Sequence, residues 1–225
     1  MFKNLIIINA NTTRDMRFVP VPNWLNWRST IRLEALQEEA SSLAGHYPLV
    51  FSQADEGQTL QVIMGASDRN VFIDEQGRWL VSVIPARLRA FPFAYARNNG
   101  IDSYSLVADR DAPQWANDGE RLYDDLGESA EFLKRSAEFA KLVLQDALRT
   151  QQLVGQLADA GVIAQGVVTV TLKDGSQRAF AGFRTVQEEN LAALGPSARD
   201  PLASTGALAL LDAHRTSLKN FSQIN

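Results

Sequence analysis

Residues 70–93, NVFIDEQGRWLVSVIPARLRAFPF, constrain this chain more than any other stretch. An apolar run ends at Pro85, the segment ARLRA follows, and Pro92 then stands between two phenylalanines. Proline fixes φ near −65° and has no N–H to donate. Pro85 therefore suits the first turn of a short helix. The residue before Pro92 is steered out of the α region, which ends that helix. Arg87 and Arg89 ride on the helix, and Phe91 and Phe93 lie at its exit. Two guanidiniums this close hold a carboxylate or phosphate through paired N–H donors. Trp79, Phe91 and Phe93 supply an apolar wall or a cation–π contact. Arg87, Arg89, Trp79, Phe91 and Phe93 are thus the candidate ligand-binding set. A second reading stays open: the arginines pair with acids of this chain while Phe91 and Phe93 fill the core. The i, i+2 spacing also sends the two arginines to different helix faces.

The rest of the chain supplies sheet and helix around this corner. Residues 1–30 read as a strap: a short strand over 5–8, then FVPVPNWLNW, whose Pro20 and Pro22 favour an extended path. Thr30 is placed to cap a helix over 31–44. Strands are predicted over 48–52, 59–64, 70–74, 78–84 and 103–109, with DEQG (74–77) as a hairpin turn. A long helix is predicted over 130–149, capped by Ser129, with Phe132, Leu133, Phe139, Ala140, Val143, Leu144, Ala147 and Leu148 along one stripe. A second helical stretch follows over 151–159. VVTVTL-KDG-SQRAFAGF (167–183) predicts a hairpin turning at Asp174-Gly175. Helices over 186–194 and 203–218 complete the chain. The fold class expected is α+β: antiparallel sheet packed against a long helix and C-terminal helices. A single domain over 1–225 is expected, strand-rich over 46–109 and helix-rich over 129–225.

Six blocks, in this order and spacing, resemble the SapC-like family, named for a surface-layer-associated protein. They are HYPLVF (46–51), MGASDRNVFIDEQGRWLVSVIPARLRAFPF (64–93), SLVAD (105–109), GERLYDDLGE (119–128), KDGSQRAFAGFRTVQEENLAAL (173–194) and GALALLDAHRTSL (206–218). The resemblance spans most of the chain. It implies an accessory or surface-layer role, and its name points toward the cell surface.

Other chemistry has less support. A net charge of −4 is the opposite of the basic stripe that nucleic-acid binding needs. The absence of cysteine excludes disulfides, thiolate nucleophiles and Cys-ligated metals. Phosphate-loop motifs do not occur, so no nucleotide cofactor is expected. Asp109, Asp111, Asp118, Glu120, Asp124, Asp125 and Glu128 form an acidic run without EF-hand spacing. His46 and His214 lie in different elements, so no metal site is expected. His214 and Ser217 share a helix face, yet a nucleophile also needs an orienting acid and an oxyanion hole; a helix-surface hydrogen bond is the reading for this pair. No residue is assigned a catalytic role. No stretch approaches the 18 apolar residues of a membrane span. The N-terminal apolar run is too short for a signal peptide, and the expected location is the cytoplasm. Three functional classes remain, in this order: a non-catalytic accessory or binding module that recognises a partner protein or a small anionic ligand; an enzyme using scattered acids and arginines; and a component of surface-layer assembly or export. Self-association is left open.

Overall fold

The structure, a computed structural model, describes residues 2–20, 23–99, 103–171 and 175–224. In chain order its elements are β1 (Leu5–Ile7), β2 (Arg17–Phe18), β3 (Arg32–Ala35), α1 (Ala40–Ala44), β4 (Leu49–Phe51), β5 (Leu60–Ile63), α2 (Ala86–Ala90), β6 (Phe93–Arg97), β7 (Tyr104–Asp109), β8 (Glu120–Arg121), α3 (Glu131–Asp159), β9 (Ile163–Thr171), β10 (Gln177–Val186), α4 (Glu188–Ala193), α5 (Pro196–Thr205) and α6 (Ala207–Ser217). The pairing of these strands is antiparallel throughout, so the fold class is α+β as expected. The chain divides into two compact units, each made of two separate stretches. The first is Met1–Asn23 with Arg87–Gln145, and the second is Trp24–Ala86 with Asp146–Asn225.

The first unit holds a three-stranded sheet in the order β1-β7-β6 and the small β2–β8 pair. Its core is Ile8, Phe93, Ala108, Leu122, Tyr123, Leu133 and Ala140. Leu133 and Ala140 come from the predicted stripe of α3, of which Val143 and Ala147 are also buried while Leu148 is 42% exposed. Phe18 packs round this core, stacked on Phe132 at 5.2 Å and 15° and edge-on to Trp115. Aromatic pairs at such spacings add attraction beyond the area they bury.

The second unit holds a five-stranded sheet in the order β3-β5-β4-β10-β9. Central β4 is buried at all three residues, which suits its uninterrupted apolar LVF. Two expected helices are different here. The span 31–44 opens as strand β3, because Leu33 and Ala35 alternate with Arg32 and Glu34 and pair with β5. This alternation fits a half-buried strand better than the helical period, and only 40–44 remain α-helical. At the C-terminus, Gly206 at φ +95° divides the single helix expected over 203–218 into α5 and α6. That left-handed geometry costs glycine nothing and other residues a good deal. Conversely, the helices expected over 130–149 and 151–159 are one: α3 runs unbroken through Thr150. The Thr150 hydroxyl donates back to the Asp146 carbonyl at 2.7 Å and accepts the Gln37 N–H at 2.8 Å. The expected strands 70–74 and 78–84 reduce to one bridge, Ile73 to Trp79, although the Asp74–Gly77 turn between them forms as predicted. The hairpin over 167–183 is present and longer than expected, as β9 and β10; of its predicted turn, Asp174 lies outside the described residues.

Candidate functional site

The arginine corner lies almost wholly in the first unit. Pro85 and Pro92 bracket α2 as its sequence requires. Arg89 is exposed, and its guanidinium carbon stands 5.0 Å from the centre of the Phe139 ring. Half-buried Arg87 lines a dent of about 30 Å³ together with Phe93, Tyr95 and Val143. That is room for little more than ordered water. The phenylalanines expected as an apolar wall are core instead. Phe93 is 2% exposed and packs against Phe18 and Trp115, and Phe91 lies 5.5 Å from Phe2. They are buried because the strand leaving the corner, β6, pairs with β7 over the core. Trp79 belongs to the second unit. There its indole N–H donates to the Tyr47 hydroxyl at 2.7 Å, and its ring meets Trp24 edge-on at 5.6 Å.

His214 and Ser217 are not on a helix surface; both are fully buried in the second unit. The His214 Nδ1–H donates to the Leu49 carbonyl at 2.7 Å, and Nε2 accepts the Val186 N–H at 3.3 Å. Burial pushes this imidazole down to about 4 from its ordinary 6.5, so it is neutral. The Ser217 hydroxyl donates to the His214 carbonyl at 2.6 Å and accepts the Leu49 N–H at 2.8 Å. The pair therefore ties α6 to β4 and β10, with its polar atoms spent on backbone. The amide of Asn220 continues the same tie, donating to the carbonyls of Ala44 and Tyr47.

Two members of the acidic run are spent on backbone and a third on an arginine. The buried Asp109 carboxylate accepts the N–H groups of Lys3, Asn4 and Asp111. Asp124 accepts those of Leu126 and Glu128, and Asp125 pairs with Arg121 at 2.7 Å. Among the described residues no three His, Asp or Glu side chains come together as a cation cage.

One charged side chain stands out from all of these. Arg184 sits on β10, opposite Phe51 of β4 on one side and Gln165 of β9 on the other. It is only 7% exposed. Its Nε–H donates to the Ser52 carbonyl at 2.6 Å and its Nη2 to Gln58 Oε1 at 2.6 Å, both neutral acceptors. Burial lowers its pKa, with no acid raising it in return. Burying a charge is costly unless an opposite charge compensates. The side chain lines a cleft of about 270 Å³ with Gln53, Ala54, Asp55 and Gln165. The cleft walls are strands β9 and β10 and the loop between β4 and β5. That loop is fixed by the Ser52 hydroxyl, which donates to the Gly57 carbonyl at 2.6 Å and accepts the Thr59 N–H at 3.0 Å. Next to Arg184, the Thr185 hydroxyl approaches β9 so closely that a Cβ on Gly166 would clash with it. Arg184 is thus held by rigid strands at the wall of an open cleft. Sequence reasoning did not single it out. The available signal was that it is the only charge in AFAGFRTV (179–186), a run otherwise suited to strand.

No curated protein matches this chain, and no solved structure does. The family model SapC matches residues 8–224, nearly the whole chain. The match runs through both compact units and through every block read above, and the chain belongs to the SapC family.

Proposed function

We propose that this chain is a non-catalytic binding module that takes a small anionic ligand, with Arg184 as its anchor. The observation that carries this reading is a guanidinium 7% exposed, hydrogen-bonded only to neutral oxygens among the described residues, on the wall of an open cleft. A ligand carboxylate or phosphate supplies the charge that this arginine lacks. The guanidinium fork suits it, because Nη1 makes no hydrogen bond to a described residue and carries two N–H donors. Nε and Nη2 meanwhile anchor the group, so little rotamer freedom remains to be lost on binding. Gln165 and Gln53 add amide groups to the wall. The non-catalytic part of the reading is supported by His214 and Ser217, whose polar atoms are occupied by backbone in the interior.

The test is calorimetric titration of the full chain with acetate and with inorganic phosphate, with backbone amide shifts recorded alongside. At least one anion is expected to bind, moving the amides of residues 53–55, 165 and 184. Arg184→Gln should then cost about 1.5–3 kcal/mol of binding, the range for hydrogen bonds to charged groups. Binding of neither anion, or shifts confined to other residues, overturns the reading even if the variant fails to fold.

A further inference from the structure

The same cleft has a second charged group. Asp55 lies on its wall, at the short 3-10 turn Ala54–Glu56, and is exposed. Among the described residues Asp55 has no ion-pair partner, and it is not bonded to Arg184. One cleft therefore presents an uncompensated cation and an uncompensated anion that do not neutralise each other. A plain dianion would satisfy Arg184 and be repelled by Asp55. A plain cation would do the reverse. A molecule with a carboxylate at one end and an ammonium at the other satisfies both. Resting on the anion-binding reading above, we propose that the ligand is a small zwitterionic amino carboxylate, its carboxylate on Arg184 and its ammonium toward Asp55. The glutamine amides of residues 53 and 165 line the space between the charged ends, where donors and acceptors are useful but net charge is not. A cleft of about 270 Å³ suits a ligand of this size, since drug-sized ligands occupy sites upward of about 300 Å³.

The experiment compares matched pairs of probes on the full chain: glycine with acetate, β-alanine with propionate, and γ-aminobutyrate with butyrate. Rising chain length reports the span between the two charges. At least one amino carboxylate should bind roughly three- to tenfold more tightly than its plain partner, given the strength of a partly exposed charge-assisted contact. Asp55→Asn should remove that preference while leaving or improving the affinity for the plain acid. Asp55 is exposed, so this variant leaves the interior untouched. Equal binding within every pair, or an unchanged preference in Asp55→Asn, overturns the zwitterion proposal and leaves the anion reading standing. Binding of no member of either series overturns the zwitterion proposal, and the anion reading falls with it when inorganic phosphate also fails to bind.

Discussion

The arginine corner and the Arg184 cleft use the same side chain for opposite ends. At the corner Arg89 keeps its charge in solvent and covers an aromatic ring with it. In the cleft Arg184 is taken out of solvent and given neutral oxygens in place of an acid. An exposed guanidinium costs little to hold and contributes little. A buried one is retained against a desolvation penalty of several kcal/mol. Clustered arginines in a sequence therefore mark a hydrated surface as readily as a site. An isolated arginine within an apolar strand is the more demanding arrangement, because the strand's pairing leaves it nowhere to go.

The comparison breaks most easily at Phe93. If the corner is scaffold, Phe93→Ala removes a ring that is 2% exposed and packed on Phe18 and Trp115, at 5.8 and 5.9 Å. The expected loss is about 3–5 kcal/mol of stability, the usual cost for a buried phenylalanine. Urea unfolding measures it. A loss below about 1 kcal/mol, with ligand binding impaired, would return Phe93 to the role of ligand wall expected from sequence.

The next largest effect is set by pH and lies in the second unit. His214 titrates near 6.5 when unfolded and near 4 when folded. Between those values the unfolded chain holds a proton that the folded chain refuses. This contribution to stability is thus complete above about pH 6.5, falls as pH drops toward 4, and levels off below. A difference of this size corresponds to about 3 kcal/mol at most. Other carboxylates titrate in the same window, so the measurement is the difference between the native chain and His214→Gln as a function of pH. That difference should shrink on acidification from pH 7 to pH 4. A constant difference means that His214 takes up its proton as readily folded as unfolded, and the buried tie between α6 and β4 would need another description.

Much of this architecture is legible in the order of the residues. The one-sided stripe of residues 132–148 requires a helix with a buried face, and Leu133, Ala140, Val143 and Ala147 are buried. The β-branched run VVTVTL ahead of a KDG turn, with SQRAFAGF behind it, requires the β9–β10 hairpin. What could not be read comes down to long-range competition. Residues 32–35 lead into the helical spacing of Leu36, Ala40 and Leu43, and their four-residue alternation becomes strand because β5 lies beside it. Residues 78–84 carry strand-forming side chains, yet among the described residues only Trp79 of this span forms a β-bridge. The cleft was hidden for the same reason. Arg184 and Gln165 face each other only through the register of β9 on β10, and Asp55 joins them from a loop far earlier in the chain. Nothing local records that juxtaposition. The corner's candidates, by contrast, are close in sequence, yet the rings of Phe91 and Phe93 turn inward.

The smallest expected effect sharpens the comparison from the other side. Arg89→Ala removes an exposed guanidinium from the face of Phe139, and a contact of that kind is worth about 0.5–1 kcal/mol at an exposed site. A double-mutant cycle with Phe139→Leu isolates it, because the cycle cancels whatever each side chain does elsewhere. The expected coupling is about 0.5–1 kcal/mol, with anion binding unchanged in all three variants. An exposed charge contributes little to stability, so its removal stays cheap. A charge engaged with a ligand can also leave cheaply in stability, but it takes the binding with it. Stability and binding must therefore be read on the same variants. Arg89→Ala that folds normally and abolishes acetate binding would move the site back to the corner and reduce Arg184 to a strand-anchoring group. A small coupling with binding intact places the corner among the elements that hold the fold and leaves the cleft as the place where recognition occurs.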